Sequence, residues 1–78
     1  MARIRNERLI QAVAVRLKQL REKRGMTLEA VFLDTGIHIA RVEAGKANIT
    51  LSTLEALCAY LGVTLIEFFS DDFPDFQK

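Results

Sequence analysis

Apolar residues recur along the chain at intervals of three and four, the spacing of one helical face, and strict alternation of apolar and polar residues never lasts more than a few positions. Leu9, Val13, Leu17 and Leu20 define the first such face. Asn6 ahead of them has the side chain of an N-cap, and Gly25 after Lys23 and Arg24 supplies a stop. Thr27 caps a second, short helix carrying Leu28, Val31 and Phe32, with Glu29 in the first turn, where a carboxylate suits the helix dipole. Asp34, Thr35 and Gly36 then interrupt the pattern, and either Asp34 or Thr35 can cap the next helix. Ile39 and Val42 line this third segment, which stops at Gly45. Asn48 and Thr50 offer caps to a fourth, with Leu51, Leu54, Leu57, Cys58 and Leu61 inward and Gly62 at its end. Thr64 and Glu67 have the spacing of a capping box, opening a fifth helix through Phe69. The spacing therefore predicts an all-α fold, a compact five-helix domain over residues 1–70 with a short acidic aromatic tail over 71–78. The segments are too short for a four-helix bundle.

Composition narrows the function. A chain of 78 residues is one domain, and at that size only about 60% of the unfolded surface is buried, so a partner subunit is expected. One Cys (Cys58) and one His (His38) leave neither an internal disulfide nor a multi-His metal site, and no metal or cofactor is expected. Cys58, on an apolar helical face, reads as a small buried hydrophobe. The apolar run Ala12–Val15 is far below the roughly 20 residues of a membrane span, and Met1–Glu7 has no secretory apolar core, which points to the cytoplasm. A net charge of +1 by itself argues against a nucleic-acid binder. The distribution reverses that argument. Residues 1–48 carry ten Lys and Arg against five acids, a balance of +5, whereas residues 49–78 carry one base against five acids, a balance of −4. Such asymmetry suggests a basic face for a polyanion and an acidic end turned elsewhere.

Two short helices over Thr27–Leu33 and about Thr35–Ala44, joined by a tight turn, form a helix-turn-helix over about residues 27–44. The flanking residues add specificity. Leu17–Glu29 (LKQLREKRGMTLE), Ile39–Lys46 (IARVEAGK), Leu51–Leu54 and Ala59–Val63 together resemble the lambda-repressor/Cro-like (XRE) family of helix-turn-helix transcriptional regulators over roughly residues 8–69. The Asn48–Leu51 stretch is similar to controller proteins of restriction–modification systems. The resemblance implies a five-helix fold and a sequence-specific regulator, binding double-stranded DNA as a dimer with the helix at about residues 35–44 in the major groove. That geometry is physically apt, because an α-helix fits the groove and its N-terminal residues meet base edges. This chain departs from the family pattern in three ways. The second helix and turn are about three residues shorter, a loss expected within helix two. Leu28 replaces the usual Gln. Phe32 replaces a small Ala, so the two helices must pack differently.

The DNA-facing set expected from this placement is Thr27, Thr35, Gly36, Ile37, His38, Arg41, Lys46 and Asn48. Thr35, Ile37 and His38 are positioned to touch base edges or a thymine methyl; Ile37 reads equally as core, His38 as an exposed or capping side chain, and Gly36 as relief of backbone strain or room for a close phosphate approach. Arg41 can reach a base or phosphate, or pair with Glu43. The resemblance gives Glu43 a structural role, tying its helix to Arg16 or Arg21. Lys46 and Asn48 come after the recognition helix, where phosphate contacts are usual in the family. Arg3 and Arg5 read as an arm toward a groove or as a frayed terminus. Tyr60, Phe68, Phe69 and Phe73 are the candidate homodimer surface, Phe68 or Phe69 also being needed to close the core. A second function, an antitoxin or adaptor whose acidic aromatic end binds a protein, rests on Ser70–Lys78. An enzyme is not expected, since neither a nucleophile–base set nor a glycine-rich phosphate loop is present.

Overall fold

Side-chain caps start most of the helices. Asn6 accepts the Leu9 amide at 3.0 Å and opens α1, Glu7–Lys23; Thr27 accepts from Ala30 at 3.0 Å and opens α2, Leu28–Thr35. Thr50 accepts from Thr53 at 3.1 Å before α4, Leu51–Leu61, and Thr64 exchanges hydrogen bonds with Glu67 in a complete capping box before α5, Leu65–Phe68. The exception is α3, Ile39–Glu43, whose N-cap residue His38 makes no side-chain cap bond. These elements belong to a computed structural model that describes residues 4–70 and 72–75, among which there is no strand. Arg3, Asp71, Phe76 and Lys78 lie outside the described residues.

The core takes Val13, Leu17 and Leu20 from α1, Val31 from α2, Ile39 and Val42 from α3, Leu54, Leu57, Cys58 and Leu61 from α4, and Phe68 from α5. Burial of the Cys58 thiol pushes its pKa up, as expected of a group held among apolar neighbours. Long arginines tie the short helices to α1. Arg16, buried, donates to the carbonyls of Phe68 and Glu67 at 3.1 Å each and satisfies the end of α5; Arg24 does the same for α4 through the Leu61 carbonyl at 3.1 Å.

Three expectations change. Leu51 is 75% exposed rather than inward, because it is the first residue of α4 and precedes the turn that meets the core. The missing residues come from the third helix, not the second: α2 runs on through Thr35, and α3 begins only at Ile39. Neither Asp34 nor Thr35 is its cap. The Thr35 hydroxyl instead donates to the Val31 carbonyl at 2.7 Å and accepts the Ile37 amide at 3.0 Å, while Gly36 closes α2 in the left-handed region at φ 74°. No atom lies within 4 Å of where a Gly36 side chain would start, so it is conformation, not space, that asks for glycine there. Finally, Phe68 is completely buried and has no surface to offer a second subunit.

Candidate nucleic-acid interface

With five residues, α3 is about 7.5 Å long, and two of them, Ile39 and Val42, are buried. That leaves Ala40, Arg41 and, just past the end, Ala44 pointing outward. The outer face is thus low in profile, with one cation on it. Two polar contacts fix α3 and the helices around it. On one side the Arg21 guanidinium donates to both carboxylate oxygens of Glu43, Nε at 2.7 Å and Nη2 at 3.0 Å, and its Nη1 donates to the Met26 carbonyl at 2.6 Å. Arg21 is therefore the partner of Glu43, and Arg16 is engaged at α5. The bond Arg21 donates to Glu43 raises the Arg21 pKa against the opposing effect of burial, so the guanidinium keeps its charge. On the other side the Tyr60 hydroxyl of α4 donates to the Asp34 carboxylate of α2.

The second contact has a spectroscopic consequence. The hydrogen bond to Asp34 raises the Tyr60 pKa above its ordinary value of about 10, with burial and the Asp34 charge adding in the same direction. A raised folded-state pKa favours the protonated phenol, so the bond's contribution is complete below the ordinary pKa and disappears as pH climbs through the folded one. Tyr60 is the single tyrosine of the chain, which makes absorbance near 295 nm a direct readout. The phenol of the native protein is expected to titrate above that of the chain in denaturant, and Asp34→Asn to bring the two together. Coincident curves for the unmodified protein would show that the bond does not form.

Cations gather at the other end of α3. Arg41, Lys46 and Asn48 line one polar cleft with Ile4 and Arg5 of the N-terminal segment. The segment is docked there: Arg5 Nη2 donates to the Gly45 carbonyl at 3.2 Å, and Asn48 Nδ2 donates to the Ile4 carbonyl at 3.3 Å. Arg5 also pairs with Glu7. Neither Arg41 nor Lys46 has an ion-pair partner among the described residues. Gly45 turns the chain at φ 73° beneath this cleft.

The expected DNA-facing residues are thus distributed unevenly. Arg41, Lys46 and Asn48 share one cleft. Thr27 is exposed but spends its hydroxyl oxygen on capping α2, and Thr35 closes that helix instead of opening the next. Ile37 is half-buried against the core, and His38 is exposed with its ring 4.5 Å from that of Phe32. Two contributions go beyond the sequence reading. Arg5, read there as an arm toward a groove or a frayed terminus, docks through a carbonyl forty positions further on, for which no local pattern exists. Phe32 stands out there only as a packing change, although a large aromatic at a helix-turn-helix junction is itself a signal.

Of the four candidate dimer residues, Phe68 is in the core, Tyr60 is half-buried and bonded to Asp34, Phe73 is half-buried, and Phe69 is 46% exposed. The rings of Phe68, Phe69 and Phe73 stand 4.9–5.7 Å apart as one cluster, so the start of the tail folds back on α5.

No helix among the described residues is long and apolar enough to cross a membrane, and no three His, Cys, Asp or Glu among them are grouped to hold a metal ion. No curated protein and no solved structure is significantly similar to the chain. A family model described as Helix-turn-helix matches residues 17–68, which spans the Arg21–Glu43 pair, the turn between α2 and α3, α3 itself and the fourth and fifth helices. With that match over well above half its length and five helices in the expected order, the chain belongs to the lambda-repressor/Cro-like (XRE) helix-turn-helix family of DNA-binding regulators.

Proposed function

We propose that the protein is a sequence-specific transcriptional regulator that sets α3 in the major groove of operator DNA and binds as a homodimer. The observation that carries this reading is the cleft where Arg41 and Lys46, both without ion-pair partners among the described residues, meet Arg5 and Asn48 at the exposed end of α3. Cations placed beside a helix that fits the groove neutralise phosphates and fix register, while the outward residues of the helix meet bases. The homodimer is supported by exposed apolar surface on the fourth and fifth helices. Leu51 and Phe69 line one shallow groove, which shares Ala47 and Asn48 with the cationic cleft, and Ile66 is 86% exposed on α5. The acidic balance of residues 49–78 agrees with α5 and the tail facing away from DNA. The antitoxin or adaptor reading has weaker support, because Phe73, an aromatic it needs for a partner, is packed against Phe68 and Phe69.

Selection of bound duplexes from a random pool, then titration at several salt concentrations, tests the proposal. Enriched duplexes are expected to carry two symmetric half-sites about one helical turn apart, bound with dissociation constants on the order of 10⁻⁸–10⁻¹¹ M that weaken steeply with salt. If no duplex is enriched over random DNA and salt has no effect, the chain is not a DNA-binding regulator. A single asymmetric site would remove the homodimer alone.

A further inference from the structure

The junction between α2 and α3 carries exposed apolar surface that the fold does not require. Phe32 is 39% exposed, and one helical turn earlier Leu28 is also exposed. Asp34, on the opposite flank of α2, reaches Tyr60 of α4, so Leu28 and Phe32 lie on the flank turned toward α3. There the Phe32 ring meets the His38 imidazole at 4.5 Å with the planes tilted by 32°. His38 occupies the N-cap position of α3 yet its side chain makes no cap bond. The imidazole is therefore held by stacking on an aromatic ring rather than by the helix it precedes. Two nearby carboxylates are already committed, Asp34 to Tyr60 and Glu43 to Arg21, while Glu29 stands exposed in the first turn of α2.

We propose that Phe32 and His38 together form a platform for the C5-methyl group of thymine in the major groove. The inference rests on α3 entering that groove, and adds to it the residues that read sequence. The N-terminal end of a groove helix is the part that comes nearest base edges, and the His38–Phe32 pair stands at that end of α3. The thymine methyl is the apolar feature of the major-groove edge, and an aromatic or aliphatic side chain is its matching surface. A five-residue α3 with only Ala40, Arg41 and Ala44 outward has few side chains for hydrogen-bonded readout, which leaves the junction as the larger reading surface. The imidazole, with one donor and one acceptor nitrogen when neutral, can additionally bond the edge of an adjacent purine.

Deleting the methyl without touching the protein tests this directly. The duplex enriched from a random pool is resynthesised with deoxyuridine in place of each thymidine in turn, which preserves pairing and the groove's hydrogen-bonding groups. At one thymidine of each half-site the unmodified protein is expected to lose about three- to tenfold in affinity, in line with burial of one methyl group. In Phe32→Ala that thymine-to-uracil ratio falls to about one, and in His38→Ala it shrinks. Far-UV circular dichroism on both variants verifies the fold, and the uracil series on the unmodified protein needs no variant at all. A duplex that still outcompetes random DNA but tolerates uracil at every position overturns the platform and leaves the DNA-binding reading standing. A ratio unchanged in Phe32→Ala overturns it too, and moves methyl contact to Ala40 or Ala44. Failure to enrich any duplex removes the groove reading and the platform together.

Discussion

Glu43→Ala is expected to cost about 3–5 kcal/mol and to leave much of the protein unfolded at 37 °C, because it strands a buried guanidinium. Side chains of Arg21 and Glu43 are only 10% and 8% exposed, and their two parallel bonds are of the charge-assisted, bidentate kind. The same guanidinium holds the Met26 carbonyl, so one side chain fixes the end of α1, the turn into α2 and the end of α3. Domain stability runs at about 0.05–0.15 kcal/mol per residue, or roughly 4–12 kcal/mol for a chain of this length, so the loss is a large part of the total. Urea melts monitored by circular dichroism measure it. Arg21→Lys is expected to fall between the unmodified protein and Glu43→Ala, since an ammonium keeps the charge but cannot match the fork. The double variant Arg21→Met with Glu43→Leu should regain much of what Glu43→Ala loses, because it removes both desolvated charges at once. A cost under about 1 kcal/mol for Glu43→Ala would place the pair in the weak class of surface bridges.

This pair marks the boundary of what the sequence reveals. The caps at Asn6, Thr27, Thr50 and Thr64 are legible because a cap is local chemistry, a short polar side chain within three residues of the amide it accepts. The faces of α1 and α4 are legible from their period, apart from Leu51. Between Val31 and Ile39 local rules compete. Asp34 and Thr35 both have capping side chains, and Gly36 serves equally well after a helix as within a turn. The tie is broken by the Thr35 hydroxyl bonding back to Val31, and by Asp34 finding Tyr60 twenty-six positions later. Neither can be read from spacing. Part of the candidate site is hidden for the same reason. Arg41 and Lys46 stand out as cations near a helix end, but Arg5 joins them only when α1 and α3 pack together. Phe68 and Phe69 are adjacent and alike in sequence, and only the helical turn of α5 sends one into the core and the other outward.

Arg41→Ala combined with Lys46→Ala is expected to weaken DNA binding about fifty- to a hundredfold near 0.1 M salt while leaving the fold intact. Both side chains are exposed and lack ion-pair partners among the described residues, so folding gains little from them. Each phosphate contact contributes about 0.9 to the slope of log affinity against log salt. Two lost contacts therefore flatten the slope by about 1.8, which at about 0.1 M amounts to nearly two decades, and the difference narrows as salt is raised. The shape of the dependence separates roles that a single affinity cannot. If Lys46 touches phosphate, its replacement weakens binding to every duplex alike and leaves the ranking of sequences unchanged. If Arg41 instead reaches a guanine edge, Arg41→Ala costs more on the preferred duplex than on random DNA and relaxes preference at one base pair. Docking of the N-terminal segment predicts a further dependence: Asn48→Ala, which frees the Ile4 carbonyl and loosens the segment that carries Arg5, should weaken binding without removing any charge. An unchanged slope in the double variant would mean that the cleft at the end of α3 faces solvent in the complex, and the orientation of the protein on DNA would have to be reversed.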